Sequence, residues 1–423
     1  MHGGCQTGDL RGHRGRAPGV PMIDSGDGAG SDQSGGRPPD IYDYWAQCRR
    51  DQPVGLFGGA GDTWLVTRHA DVERVLRDAE TFSSRVNDDT MGPVMGPVIV
   101  AMDGEEHRRH RNLVARAFRP SALARWEAEL IGPTIHGLLD GLAGRRDADL
   151  VAEITSRFPV QVIAGVLGVP ADDHARFHAW ALDMNKGPED YAVSTAAAAA
   201  MRAYLTPIVE DRRARPVDDL VSDIVTAEID GERLDDDHVY GFLRLLLPAG
   251  AETTYSAMGS CLYAVLATPG VLERVRAEAA LLDAVIDETL RWETSVTMVN
   301  RETTCPVVIE GVEVPAGVSL VCATGSANRD ESRYDHPDVW DLDRAGPPHL
   351  AFGTGRHQCL GMHLARMELR IGLGAVLGRL EGLRLDPDAG PVRIEGMAFR
   401  SPPSLPVRFE AVAPGPAGSD PGA

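Results

Sequence analysis

Residues 352–361 read FGTGRHQCLG, with Gly353, Gly355 and Gly361 set around a single cysteine, Cys359. Glycine has no Cβ, so such a run lets the backbone turn tightly and come close to another group. From Gly361 to about Leu380 the apolar residues recur at helical spacing, which predicts a helix whose positive end points back at Cys359. Backbone N–H groups and the dipole at that end favour a thiolate, so the pattern predicts a thiol pKa below the ordinary value. A thiolate in this cradle suits a metal ligand or, with His357 as base, a nucleophile. A lone cysteine also serves as a small buried hydrophobe.

Three further segments put polar residues where a plain core would not. Ala249–Thr254 reads AGAETT within an apolar stretch that predicts a long helix over 234–268. Gly250 costs about 1 kcal/mol in mid-helix, and Glu252, Thr253 and Thr254 need partners if buried. A bent helix answers part of this, because Thr can bond back to the carbonyl four residues earlier and Pro248 withholds an N–H. Glu288 and Arg291, three apart, share one helical face. As an exposed pair they would contribute at most about 1 kcal/mol. In Asp103–Phe118 (DGEEHRRHRNLVARAF), His107 and Arg111 lie four apart on one face, while Arg108, Arg109 and His110 fit a solvated basic face.

Taken together and in this order, the segments resemble those of cytochromes P450, over roughly residues 41–410. FGTGRHQCLG is similar to the family's haem loop, F-x-x-G-x-x-x-C-x-G. The resemblance implies haem b (iron protoporphyrin IX), with Cys359 as the iron ligand, Phe352 and Gly353 beside the cofactor, and O2 as co-substrate. It implies Glu252 and Thr253 as the acid–alcohol pair that delivers protons. It implies His107, Arg111, Arg301 and His357 as donors to the haem propionates. Glu288 and Arg291, joined by Arg344, become a structural network that fixes the Cys359 loop. Two positions depart from the family: Ser295 stands where a proline is usual, and Pro248 replaces an aliphatic residue.

The rest of the 423 residues is consistent with a large globular enzyme. Hydrophobic residues at 43% and charged residues at 25% are ordinary. A formal charge of −20 disfavours general binding of nucleic acid or anionic membrane. Six scattered cysteines without a CxxC pair argue against a zinc ribbon or disulfide scaffold and fit a reduced cytoplasm. No run approaches the roughly 18 apolar residues of a spanning helix. Residues 1–40 and 413–423 are expected to be disordered, and the first lacks the apolar core of a secretion signal. Residues 41–412 are expected to form one large domain, mainly α with a small β region. Within it, 63–67 reads as a strand, 69–79 as a helix and 85–100 as an irregular binding loop. Helices are expected over 150–167, 196–212 and 269–292, and a three-stranded meander over 307–309, 312–314 and 318–323.

The resemblance therefore implies a cytoplasmic monooxygenase that hydroxylates or epoxidises a small molecule. No nucleotide-binding fingerprint or iron–sulfur cysteine cluster is present, so electrons are expected from a separate ferredoxin and its NAD(P)H-dependent reductase. Arg108, Arg109, Arg356, Arg366 and Arg370 would give an acidic ferredoxin a basic face. By analogy the pocket draws on the 86–101 segment, Met184, Leu246, Ala249, Val296, Val299, Met397 and Phe399, mostly apolar residues that suit a lipophilic substrate. A peroxide-driven peroxygenase, a silent P450-like partner protein and a Cys359–His357 thiol hydrolase are the alternatives.

Overall fold

The computed structural model describes residues 22–23, 40–57, 63–187, 190–229 and 231–415. Its axis is a single helix of 32 residues, Asp236–Ala267, which runs through Pro248 without interruption. Asp235 caps it, its carboxylate accepting the His238 N–H at 2.9 Å, and Asp236 and Asp237 complement the dipole in the first turn. Helices Phe158–Val166, His174–Asn185, Leu281–Trp292 and Met362–Arg379 pack around it. Close approach explains its glycine: a Cβ on Gly250 would lie 2.5 Å from Ile163 Cδ1.

Several predicted helices divide. The 150–167 stretch becomes a π turn, Val151–Thr155, and helix Phe158–Val166, whose second residue Pro159 cannot extend the preceding turn. The 269–292 stretch breaks between helices Val271–Ala277 and Leu281–Trp292. Helix Tyr191–Ala214 exceeds its predicted bounds, with Asp190 accepting the Val193 N–H at 3.1 Å. By length and composition alone this helix could cross a bilayer, but it packs on His174–Asn185, Leu220–Thr226 and Val86–Met95.

That last helix overturns the expected irregular loop at 85–100, which holds helix Val86–Met95 and a 3-10 turn, Ile99–Ala101. Tertiary contacts supply what periodicity lacks. Asn87 Nδ2 donates to Ser84 O and Val100 O at 2.9 and 3.1 Å, and Arg244 of the long helix donates Nη1 to Val94 O at 3.2 Å.

The main sheet has six strands in the order Met22–Ile23, Val54–Phe57, Trp64–Val66, Ser319–Cys322, Val299–Thr303, Phe82–Ser83. Val307–Ile309 and Val312–Val314 form the expected hairpin, with Glu310 and Gly311 at φ +49° and +75° in its turn. The third strand of the expected meander leaves it. Ser319–Cys322 enters the large sheet, with Leu320 paired to Trp64 in parallel and to Arg301 antiparallel. Leu320 and Cys322 are fully buried there, which a free meander could not provide. Of the two terminal segments expected to be disordered, residues 22–23, 40 and 413–415 are described. Met22–Ile23 pair with Leu56–Phe57, and Ala413 O accepts Arg379 Nε at 2.8 Å. The remainder lies outside the described residues. The architecture is one mainly helical domain with small sheets.

Candidate functional site

The Cys359 loop is held open by two residues in left-handed backbone, Gly353 (φ +64°) and Gly355 (φ +74°). A Cβ on Gly355 would stand 2.8 Å from Leu76 O, so the loop lies directly against helix His69–Arg77. The Cys359 N–H donates to Phe352 O at 2.8 Å and closes the turn. Cys359 is exposed, and helix Met362–Arg379 begins three residues on. The surrounding protein pushes its thiol pKa up, while the N–H groups of Gly361 and Met362 and the Arg111 guanidinium pull it down. The donors expected around the sulfur are present.

His357 is engaged away from the sulfur. Its ring sits 4.0 Å from that of His107, and its Nε2 is 3.8 Å from Asp103 Oδ1. That leaves the hydrolase reading without a committed base. His107 is 2% exposed, and its Nε2 has no partner. Burial, with His357 and Arg111 adding to it, lowers its pKa to about 4. Arg301 is 6% exposed and donates Nη1 only to Asn300 O at 2.7 Å. Among the described residues no carboxylate lies within 4.0 Å of its guanidinium. Arg111 donates Nη2 to Gln358 O at 2.6 Å. A buried cation with no carboxylate in contact and a buried imidazole nitrogen without a partner, among the described residues, are costly. Both fit a pair of carboxylates such as the haem propionates.

The long helix is buried at Leu247, Pro248, Ala251 and Thr254, yet Ala249 is exposed and Gly250, Glu252 and Thr253 are half-buried. One face of a core helix therefore meets open space. Thr253 Oγ1 donates back to Ala249 O at 2.7 Å. Glu288 and Arg291 form a two-point pair at 2.7 and 2.8 Å, with both side chains at or below 5% exposure. Arg344 Nε and the Asp341 N–H join Glu288 Oε1 at 2.9 and 3.0 Å. The remaining guanidinium donors reach the carbonyls of Asn328, Asp335, His336, Pro337 and Val339. Every charge is satisfied, and the network ties the helix to the chain that leads into the Cys359 loop.

The family model for cytochrome P450 matches residues 186–405. Nocardicin C N-oxygenase of Nocardia uniformis subsp. tsuyamanensis is 37% identical over 88% of this chain and 96% of its own length. The steroid C26-monooxygenase of Mycolicibacterium smegmatis is 32% identical over 83% of this chain and 86% of its own. The structure of cytochrome P450 CYP109Q5 from Chondromyces apiculatus superposes with a TM-score of 0.82 at 36% identity, over 89% of this chain and 96% of that one. The chain belongs to the cytochrome P450 family. Members of the family are monooxygenases that carry haem and use O2.

Placed on the P450 fold, the other candidates separate. Met397 and Phe399 are 55% and 42% exposed, and Phe399 bridges to Val296. Leu246 and Val299 are half-buried. Met184, at 2% exposure, packs in the hydrophobic core. The basic face is largely neutralised: Arg108 pairs with Glu105 at 2.5 Å, Arg109 with Glu232, Arg366 with Asp287 at 2.5 Å and Arg370 with Asp283 at 3.9 Å. Arg356 is exposed. Sequence reasoning missed Asp103, which accepts Ser83 Oγ at 2.5 Å and the Ser84 N–H at 3.1 Å. Burial raises its pKa, but His357 and these donors outweigh it and hold the carboxylate at about 2. It missed Glu368 as well, which is 1% exposed with Oε2 unpartnered. A Glu on the otherwise apolar face of helix Met362–Arg379 was the signal available for it.

Proposed function

We propose that this P450 is a haem-thiolate monooxygenase that receives electrons from a separate ferredoxin and NAD(P)H-dependent reductase. Its substrate is a small, largely apolar organic molecule, which it hydroxylates or epoxidises. The observation that carries the reading is the accessible Cys359, faced by the N–H groups of Gly361 and Met362 and by Arg111, beside the buried His107 Nε2 without a partner and the buried Arg301 with no carboxylate in contact among the described residues. Cys359 would hold the iron, and His107, Arg111, Arg301 and His357 the propionates, with Phe352 and Gly353 against the porphyrin. When bound, haem b supplies an electron-rich iron that activates O2 toward a C–H or C=C bond. The chain's part is orientation and proton supply. Thr253 Oγ1, which donates to Ala249 O, is the hydroxyl that passes on a proton, and Glu252, the residue before it on the same turn, links it to solvent. Glu288, Arg291 and Arg344 hold the loop and touch no substrate.

The known relatives bear on the class of substrate. One structural neighbour, CYP109E1 of Bacillus megaterium, has been solved with testosterone, at a TM-score of 0.80 and 30% identity over 88% of this chain. The apolar Val296, Met397 and Phe399 suit a molecule of that lipophilic kind. The test is spectroscopic. Reduced holoprotein treated with carbon monoxide should show the Soret band of a thiolate-bound haem, far to the red, and Cys359→Ala should lose it. Folded, haem-loaded protein without that band overturns the proposal. Peroxide-supported turnover that is unaltered in Thr253→Ala would move the assignment to a peroxygenase.

A further inference from the structure

Two histidines outside the site described above lie one on the other. His110, on helix Gly104–Ala115, and His238, in the first turn of the long helix, stack with ring centroids 4.5 Å apart and planes 29° from parallel. Both are half-buried, over a narrow crevice lined by Ile99, Met102, Val114 and Phe242. Next to His110 in the chain, Arg109 pairs with Glu232, a second link from this helix to the chain that enters the long one.

The hydrogen bonds decide which nitrogen carries the proton. His110 Nδ1 lies 2.9 Å from Glu106 O, and a carbonyl oxygen only accepts, so Nδ1 is the N–H. His238 Nδ1 lies 2.7 Å from Asp235 Oδ1, which also accepts the His238 backbone N–H at 2.9 Å. That backbone N–H foremost, with the ring adding to it, holds the Asp235 carboxyl below its ordinary range, so it too only accepts. In the neutral form each ring therefore keeps its lone pair on Nε2. Among the described residues neither Nε2 has a hydrogen-bond or ion-pair partner. Imidazoles that ligate metals are built this way: one nitrogen donates to a backbone carbonyl or a carboxylate, which fixes tautomer and ring, and the other is left bare. Packing over an apolar crevice alone would be met as well by Phe or Leu, with no nitrogen left to satisfy.

We propose that His110 and His238 bind a divalent transition-metal ion, zinc foremost, through their Nε2 atoms. Imidazole nitrogen suits zinc, copper and nickel, whereas calcium and magnesium take oxygen. No group of three His, Cys, Asp or Glu gathers among the described residues, so water fills the other positions, as in zinc sites that stay open. With one ligand from each helix, the ion braces helix Gly104–Ala115, which also carries His107 and Arg111, against the long helix. The proposal stands apart from the haem-thiolate reading.

Holoprotein dialysed against zinc chloride, with the bound zinc counted, tests it. Wild type is expected to hold one zinc ion more than the His110→Gln/His238→Gln double variant, and each single variant to lose that ion. Asp235→Asn keeps both ligands and a good helix cap but weakens the acceptor behind His238, so zinc should bind about tenfold more weakly. Zinc should raise the melting temperature of wild type and of neither single variant, and calcium that of none. Equal zinc content in wild type and the double variant overturns the proposal, as does a melting temperature raised alike in all of them or an equal response to calcium. Should His238→Gln yield no holoprotein, His110→Gln decides: loss of one zinc ion supports the site, and wild-type zinc content overturns it.

Discussion

At the scale of single residues, burial and neighbours divide the carboxylates: neighbours hold Asp103 low, whereas at Glu368 burial meets no opposing donor. Glu368 sits fully inside the protein, and burial raises its pKa well above the ordinary 4.5. A carboxyl whose folded pKa exceeds its unfolded one stabilises the fold below the unfolded value and ceases to do so as pH rises through the folded value. Wild-type stability is therefore expected to decline from about pH 5 toward alkaline pH, and Glu368→Gln to flatten that limb in urea melts. A variant with an unaltered pH profile would show that Glu368 ionises alike in the folded and unfolded states. Gly355 is the second such residue. At φ +74° with Leu76 O in the way of a Cβ, Gly355→Ala should displace the Cys359 loop, read as lower haem content at unchanged helicity. Three glycines around Cys359 were visible in the sequence, but that the middle one faces Leu76 was not, because those residues lie far apart along the chain.

At the scale of elements, the Glu288–Arg291 pair anchors helix Leu281–Trp292 to residues 328–344. Removing either partner strands a buried charge, so Glu288→Ala or Arg291→Ala should cost about 3–5 kcal/mol and give little folded holoprotein. Wild-type melting temperature and haem retention in either would defeat this account. Spacing of three told which residues could pair. It did not tell that the Asp341 N–H and five loop carbonyls complete the network. The long helix gives a packing prediction: Gly250→Ala presses a methyl on Ile163 Cδ1 and should destabilise by about 1–3 kcal/mol. Ile163→Val should recover part of that in a double-mutant cycle, whereas strictly additive effects would locate the strain elsewhere. Periodicity found this helix but divided the chain wrongly at 85–100, where helix Val86–Met95 owes its shape to Asn87, Arg244 and the helices it touches.

At the scale of the whole molecule, a formal charge of −20 coexists with arginines that are mostly spent on internal pairs near the Cys359 loop. If an acidic ferredoxin docks there, exposed Arg356 carries more of the attraction than its paired neighbours. Arg356→Glu should slow reduction by ferredoxin about threefold or more at low salt and much less at high salt. A salt-independent rate, equal to wild type, would remove Arg356 from the docking face. The sequence alone determined the lone cysteine, the glycine loop, the order of the four motifs and a mainly helical domain, because each is written in residues within a turn or two of one another. Only the tertiary structure decided that Glu368 is buried without a partner for its Oε2, that Arg111 reaches Gln358 across 247 positions and that Thr297 holds Met397 a hundred residues away. Desolvation and charge balance depend on what surrounds a group in space, and local spacing carries no record of that.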